Sequence, residues 1–173
     1  MAHIITIGGK TPKVAGSAFV APTAVLSGDV VLGERASAFY GVSVRGDSDA
    51  IRIGDGTNLQ DNVVVHADAG LPCTVGRRVS VGHGAVVHGC TIGDDCLIGM
   101  GATVMNGAVV GANSLVAAGA LVLESMVVPE GSLVAGVPAK VRRALTPEEI
   151  ESLKTNASHY LELADKHREA NAG

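Results

Sequence analysis

The chain has 173 residues, enough for one domain with a substantial core, and 47% of them are apolar although only 2% are aromatic. A core with so few rings must be built from Val, Leu, Ile and Ala, which favours a narrow and regular interior. The net charge of −4 and the pI of about 5.8 exclude a strongly basic protein, so we expect neither nucleic acid nor an anionic membrane surface as a partner.

The first residues, MAHIITIGGKTP, do not combine a basic start with a long apolar stretch, so we expect no signal peptide. There is also no apolar run of about 18 residues that would predict a transmembrane helix. Cys73, Cys90 and Cys96 are an odd number of cysteines without CxxC spacing. This pattern favours buried, reduced thiols in a cytoplasmic protein.

An apolar residue recurs every six positions along most of the chain. Shorter runs at this period start at Val20, Ile53 and Val75. Short self-similar periods predict a β-solenoid, in which three hexads close one coil of about 18 residues and coils stack about 4.8 Å apart. The longest run comprises Ile92, Ile98, Val104, Val110, Val116, Val122, Val128 and Val134.

This period breaks at three places that bracket three histidines. The breaks lie between Val44 and Ile53, between Val65 and Val75, and between Val87 and Ile92. If the extra residues loop out, every third anchor shares a face, and Arg45, His66 and His88 then form one column. Asp61 and His83 form a second column on another face. Met100 and Met105 continue the two columns, where we expect them to pack at an interface.

The two columns suggest a metal site shared between subunits. His66 and His88 lie one coil apart and can approach one ion, whereas a wide corner of the prism separates His83 from them. In a side-by-side trimer, His83 of one subunit could meet His66 and His88 of its neighbour. Three imidazoles with one position left to water are the ligands of a catalytic zinc site. Such an ion lowers the pKa of its water to about 7 and supplies hydroxide.

The C-terminal segment changes to helical spacing. Thr146 is a good N-cap, followed by Pro147 at N1 and Glu149 at N3. We expect a β-helix domain over residues 1–143 and, over 144–173, a C-terminal segment whose helix spans about 147–168 and packs on the solenoid. The remaining histidines fit no column and are expected to be exposed: His3, His159 and His167. The apolar stripe of the helix comprises Ile150, Leu153, Ala157, Tyr160, Leu161 and Ala164.

Several segments together resemble the γ-class carbonic anhydrases and their bacterial relatives with a short loop. They are Arg45-Gly46-Asp47, residues 58–66, Gly82-His83 and residues 87–93. The resemblance implies a left-handed parallel β-helix of hexapeptide repeats, assembled as a homotrimer. It also implies that His66, His83 and His88 bind Zn(II), Fe(II) or Co(II), and that a metal-bound hydroxide hydrates CO2 reversibly to bicarbonate.

The same resemblance implies roles for side chains around the metal. Gln60 would position the hydroxide. Arg45 would pair with Asp61 across the subunit boundary, and Asp47 would support that network.

Asn58 and Tyr160 correspond to further positions that line the pocket in the family.

The chain departs from the well-studied active members in two places. Ser48 stands where they carry a glutamate, and residues 66–73 form a short loop in place of their longer acidic one. Those acids serve as proton shuttles in the family, so their absence bears on the rate of proton release.

Two other functions stay open at this point. One is a metal-binding scaffold or thioesterase-type accessory protein with little anhydrase activity. The other is a CoA-dependent acyltransferase, since such enzymes share the solenoid and often the Gly-x-Pro-Ala-Lys ending seen at residues 136–140. Those enzymes usually need one histidine as general base and no metal.

Overall fold

The computed structural model describes residues 2–171 and contains a left-handed parallel β-helix of about seven turns followed by one helix. This confirms the fold expected from the six-residue period and the resemblance. Met1, Ala172 and Gly173, which the two expected domains include, lie outside the described residues. The division of the chain at residue 143 stays a prediction.

The strands are short, as a six-residue period requires. In chain order they are β1 (His3–Ile5), β2 (Lys13–Val14), β3 (Phe19–Val20), β4 (Val25–Leu32), β5 (Ser37–Ala38), β6 (Ser43–Ile53), β7 (Asn58–Leu59), β8 (Val64–His66), β9 (Cys73–Val75) and β10 (Ser80–Val81). There follow β11 (Val86–His88), β12 (Thr91–Ile92), β13 (Leu97–Ile98), β14 (Thr103–Val104), β15 (Val109–Val110), β16 (Leu115–Val116), β17 (Leu121–Val122), β18 (Val127–Val128), β19 (Ser132–Ala135) and β20 (Lys140–Ala144), before α1 (Pro147–Ala170).

The strands stack on three faces. Face A contains the start of β6 and then β8, β11, β14 and β17; face B contains β3, β5, β7, β10, β13, β16 and β19. Face C contains the end of β6 and then β9, β12, β15 and β18. On face A, Arg45 pairs with His66, and His66 pairs with His88. The predicted first column is therefore confirmed.

Each face contributes one apolar anchor per coil to the interior. Val75, Val81 and Val87, one from each face, are buried in consecutive positions of this kind. Burying a Val or Ile side chain stabilises the fold by about 1.5–3 kcal/mol, so the repeated anchors drive the coil closed. The buried rings of Phe19 and Phe39 lie near the first coils.

The interruptions take two forms. Residues 67–72 do leave the solenoid as a loop, closed by an antiparallel bridge between Asp68 and Leu71. The extra residues after Val44 leave the β4 ladder as expected, but as a wide bulge rather than a separate loop. They lie within the 11-residue strand β6, where Gly28 pairs with Gly46 and Val30 with Ile51, so that residues 47–50 face Asp29 alone.

The helix begins with the predicted capping box. The Thr146 side chain accepts a hydrogen bond from the Glu149 backbone N–H, and the Glu149 carboxylate accepts one from the Thr146 backbone N–H. The helix buries Leu153, Ala157 and Ala164 and runs back along face B. This stripe positions Tyr160 over the second column.

One expectation about the helix was wrong. His167 is half-buried: its Nδ1 lies 2.9 Å from the Tyr40 hydroxyl, and its ring packs on Phe19 and Phe39. The reason is that the last turns of the helix cover the aromatic part of the core. His3 and His159 are exposed as expected.

The cysteines are buried and free, as expected. Burial raises the pKa of the Cys96 thiol to about 12, so this thiol stays protonated at neutral pH.

Candidate metal centre

His66 and His88 face each other across one coil step on face A. The His66 Nδ1 lies 2.8 Å from the His88 Nε2. The parallel pairing of β8 with β11 places these residues in register, so the repeat itself sets the approach. Both rings are partly exposed at the surface of the prism.

The outward nitrogen of each ring has its own acceptor. The His66 Nε2 lies 3.0 Å from the Asp47 Oδ1, and the His88 Nδ1 lies 2.6 Å from the Asn106 Oδ1. The Asn106 amide also donates from Nδ2 to the Asp68 Oδ2 at 2.9 Å, which fixes its oxygen toward His88. In the neutral tautomers that satisfy both of these oxygens, each outward nitrogen carries the ring proton and donates it.

It follows that the facing nitrogens of His66 and His88 have no proton between them in the neutral state. Two lone pairs 2.8 Å apart repel unless they share a cation. Two imidazole nitrogens on one tetrahedral zinc ion, at about 2.0–2.1 Å from it, lie roughly 3.3 Å apart. A small outward movement of the rings would therefore admit a metal ion, and backing of ring N–H groups by oxygen acceptors is usual for metal-binding histidines.

Asp47 is well suited to its role as an acceptor. Hydrogen bonding to Arg45, whose Nη1 lies 2.5 Å from the Asp47 Oδ2, and to His66 lowers the pKa of Asp47 to about 2. The group is therefore a carboxylate at neutral pH. It can accept a hydrogen bond from the His66 Nε2–H, which leaves the His66 Nδ1 without a proton.

Asp68 adds a third donor to this cluster. Its Oδ1 lies 4.0 Å from the His66 Nδ1 and 3.9 Å from the His88 Nε2. Ligand atoms of His66, Asp68 and His88 all lie within 4.8 Å of one another, so this group could hold a metal ion. The side chain of Asp68 is 52% exposed and belongs to the short loop after His66.

The second column lies on face B. The His83 Nδ1 lies 2.9 Å from the Asp61 Oδ2, and the His83 Nε2 lies 3.4 Å from the Tyr160 hydroxyl. Asp61 can accept a hydrogen bond from the His83 Nδ1–H, as Asp47 can from the His66 Nε2–H, and the His83 Nε2 then has a lone pair available for a metal. Burial and the nearby Asp61 charge raise the pKa of Tyr160, so its hydroxyl stays protonated.

A cavity of about 420 Å³ opens beside His83. Gln60 lies in its wall and donates from Nε2 to the Asn58 Oδ1 at 3.1 Å, and Asn58 donates to the Ser80 hydroxyl at 2.9 Å. The Asn156 Oδ1, from the helix, also lines this cavity and is buried without a hydrogen-bond partner. The remaining wall is mainly apolar and includes Leu97, Met100, Leu115, Ala117 and Ala118.

Within one chain the predicted site residues fall into two clusters on different faces. Arg45, Asp47, His66 and His88 form one, with Arg45 paired to Asp47. The pairing of Arg45 with Asp61 across a subunit boundary stays a prediction. The second cluster comprises Asn58, Gln60, Asp61, His83 and Tyr160.

Sequence reasoning gave no role to three residues at the site: Asp68, Asn106 and Asn156. Asp68 could have been noticed as the only acidic residue between His66 and Cys73. Asn106 follows Met105, which the sequence places in the column of His66 and His88. Nothing in the local sequence distinguishes Asn156 from another polar residue of the helix.

The comparisons with known proteins first define the class. Residues 50–104 match the family model described as "Hexapeptide repeat of succinyl-transferase", and residues 89–124 match "Bacterial transferase hexapeptide (six repeats)". The crystal structure of a hexapeptide transferase family protein from Anaplasma phagocytophilum is 41% identical, with a TM-score of 0.92 over 95% of this chain and 97% of that one. The protein is thus a hexapeptide-repeat β-helix.

Curated relatives narrow this class. A Methanocaldococcus jannaschii protein named "Probable carbonic anhydrase" is 53% identical over 84% of this chain and 92% of its own length. "Gamma carbonic anhydrase 2, mitochondrial" of Arabidopsis thaliana is 43% identical over 98% of this chain, which spans 63% of that relative. The chain belongs to the γ-class carbonic anhydrase family, as the resemblance implied. Among the described residues, no helix is long and apolar enough to cross a membrane.

Proposed function

We propose that the protein is a γ-class carbonic anhydrase that hydrates CO2 reversibly to bicarbonate, with its metal sites at the boundaries of a homotrimer. Each site would take His66 and His88 from one subunit and His83 from the next. The observation that carries the proposal is the set of oxygen partners around the three rings. In each histidine one nitrogen lies within hydrogen-bond distance of a side-chain oxygen, and a proton on that nitrogen leaves the other with a lone pair for the metal.

The proposed trimer is supported by the separation of the three histidines within one chain. His83 and the pair of His66 and His88 lie on different faces, so they cannot share an ion within one subunit. Met100, next to His83 in the stack, is 59% exposed, which suits a surface that a second copy covers.

The three nitrogen donors suit Zn(II), and they also suit Fe(II) or Co(II). When bound, the ion supplies Lewis acidity and a nucleophilic hydroxide near neutral pH. The chain would supply orientation. Asp47, Asn106 and Asp61 hold the rings in the tautomers that leave the ligand nitrogens free.

The cavity beside His83 would receive the substrate. Its apolar wall suits a small, uncharged molecule such as CO2. The Gln60 amide, held by Asn58, and the Tyr160 hydroxyl are the groups that would orient the reacting oxygen atoms. Arg45 would pair with Asp61 of the neighbouring subunit when the two faces meet.

Complementation between inactive variants tests the shared site. His83→Ala and His66→Ala chains, each made separately and loaded with zinc, should hydrate CO2 no faster than buffer. Co-expression should restore activity, because the pair of His66 and His88 on one chain then meets His83 on the other. In a closed ring of three, a mixed trimer has one intact boundary, or about a third of the wild-type sites.

His159→Ala, which removes an exposed helix histidine, is the matched control and should keep full activity. If zinc-loaded wild-type trimers hydrate CO2 no faster than buffer, the anhydrase proposal is wrong and the accessory role becomes the better one. Turnover of an acyl-CoA that persists with chelator present would favour a transferase.

A further inference from the structure

The Asp68 carboxylate lies over the open side of the His66 and His88 pair. Its Oδ1 is almost equidistant from the two free nitrogens, at 4.0 and 3.9 Å. The edges of a tetrahedron of nitrogen and oxygen ligands around zinc measure roughly 3.3 Å. A shift of less than about an ångström would therefore bring all three atoms onto one ion.

The loop is built so that this oxygen stays available. The other carboxylate oxygen, Oδ2, accepts the Asn106 Nδ2 hydrogen bond at 2.9 Å. The loop is pinned further along by Asp49, whose Oδ2 accepts from the Gly70 backbone N–H at 2.8 Å, and by the bridge between Asp68 and Leu71. One oxygen of Asp68 is thus hydrogen-bonded to Asn106, and the other faces the two histidines.

We propose that Asp68 is a metal ligand, so that each chain carries a complete two-histidine, one-carboxylate site before any neighbour contributes. This inference rests on the proposed function, since it concerns the same ion. Two imidazoles and one carboxylate are a common protein ligand set for Zn(II) and for Fe(II). The neighbour's His83 is then the last ligand to arrive.

A consequence follows for the coordination sphere. With His83 bound, Asp68 would complete four protein ligands and close the site, whereas an ion active in hydration needs a position for water. Asp68 would therefore help to hold an ion in the unassembled chain, whereas hydration in the trimer would require water in its place. Its exposed position on a surface loop allows this exchange.

The test is a double-mutant cycle read by zinc affinity, measured on apo full-length protein by competition with a chromophoric chelator. His83→Ala should still bind about one zinc per chain, because the site within the chain remains. Adding Asp68→Asn should weaken zinc binding at least about tenfold in that background, with a smaller effect when His83 is present. The visible spectrum of Co(II)-loaded His83→Ala should also change with Asp68→Asn.

Asp49→Asn in the His83→Ala background is the matched control, since it loosens the same loop without removing a ligand. It should leave zinc affinity near that of His83→Ala. Equal effects of the two Asp→Asn changes would overturn the inference, as would a His83→Ala protein that binds no zinc while the wild type does. The proposed function survives either result; it fails only on the activity and complementation results.

Discussion

Two regions of the solenoid are built from the same kind of hexad but have different roles. The first runs from Ile92 to Val134 and the second from Val44 to Ile92. In the first region the six-residue period is unbroken and its anchors are buried. In the second region the period breaks three times, and Asp47 and Asp68 lie within two of the breaks. Extra residues at a corner of the prism leave the anchors in place and add polar groups outside them. Regular coils thus supply a frame, and irregular coils supply the candidate metal ligands.

The largest expected effect is the loss of unfolding free energy when a buried anchor is truncated. Comparing this loss in the two regions tests whether the irregular coils are packed as well as the regular ones. Leu59 and Ile98 are fully buried anchors of face B, one in each region. Leu59→Ala and Ile98→Ala should each lower the free energy of unfolding by about 2–5 kcal/mol, measured by denaturant titration at one protein concentration. Ile98→Val, at about 0.5–1.5 kcal/mol, is the conservative control. A much smaller loss for Leu59→Ala would show that the irregular coils are loosely packed.

The next effect concerns the register shift that accommodates β6. Gly28 has φ +77°, and a Cβ there would lie 2.3 Å from the Gly46 carbonyl oxygen. Gly101, in the regular region, has φ +65° with open space around it. Gly101→Ala should cost about 1–2 kcal/mol for the backbone conformation alone, and Gly28→Ala roughly 1–3 kcal/mol more because backbone must move. Thermal unfolding of both variants makes this comparison, and equal losses would contradict it.

A third effect should be confined to the irregular region. Asp47→Asn removes the charge that holds the His66 ring, so zinc affinity should fall about 10–100-fold, or roughly 1.4–2.7 kcal/mol. Asp165→Asn is the control, because Asp165 pairs only with arginines at the surface of the described structure. Chelator competition measures both, and an unchanged affinity in Asp47→Asn would show that Asp47 does not orient the ligand.

The smallest effect lies at the junction between the solenoid and the helix. Thr146→Ala removes the N-cap and should cost about 1 kcal/mol in unfolding free energy without altering zinc affinity. Thr155→Ala, an exposed position inside the same helix, should stay within about 0.5 kcal/mol of the wild type. If the two substitutions cost the same, the capping box contributes nothing measurable.

The register of the stacked strands could be predicted from the sequence, because the six-residue period places every third anchor on the same face. Once anchors were assigned, the placement of His66 above His88 followed from counting. The same counting gave three extra residues after Val44, and the pairing of β4 with both ends of β6 leaves three extra residues outside the ladder. Counting could not predict that they form a bulge within one strand rather than a separate loop.

The polar surroundings of the site were beyond sequence reasoning. Asp68 and Asn106 are 38 residues apart in the chain and meet only because coils stack. Whether an Asn amide turns its oxygen or its nitrogen toward a histidine depends on the other partner it finds. The burial of His167 has a similar origin, because it depends on where the helix ends relative to the aromatic part of the core.

The length of the C-terminal helix is matched to the number of coils in the solenoid. It is anchored beside Gly131 at its start and beside Ser17 at its end, and its 24 residues span about 36 Å. The seven strands of face B are separated by six steps of about 4.8 Å, or about 29 Å, and one helical turn of about 5.4 Å nearly matches one step. Removing a coil between Ile92 and Val134 would therefore carry Tyr160 about one turn past His83. The regular coils contain none of the candidate metal ligands, yet their number determines which helix residue faces the site.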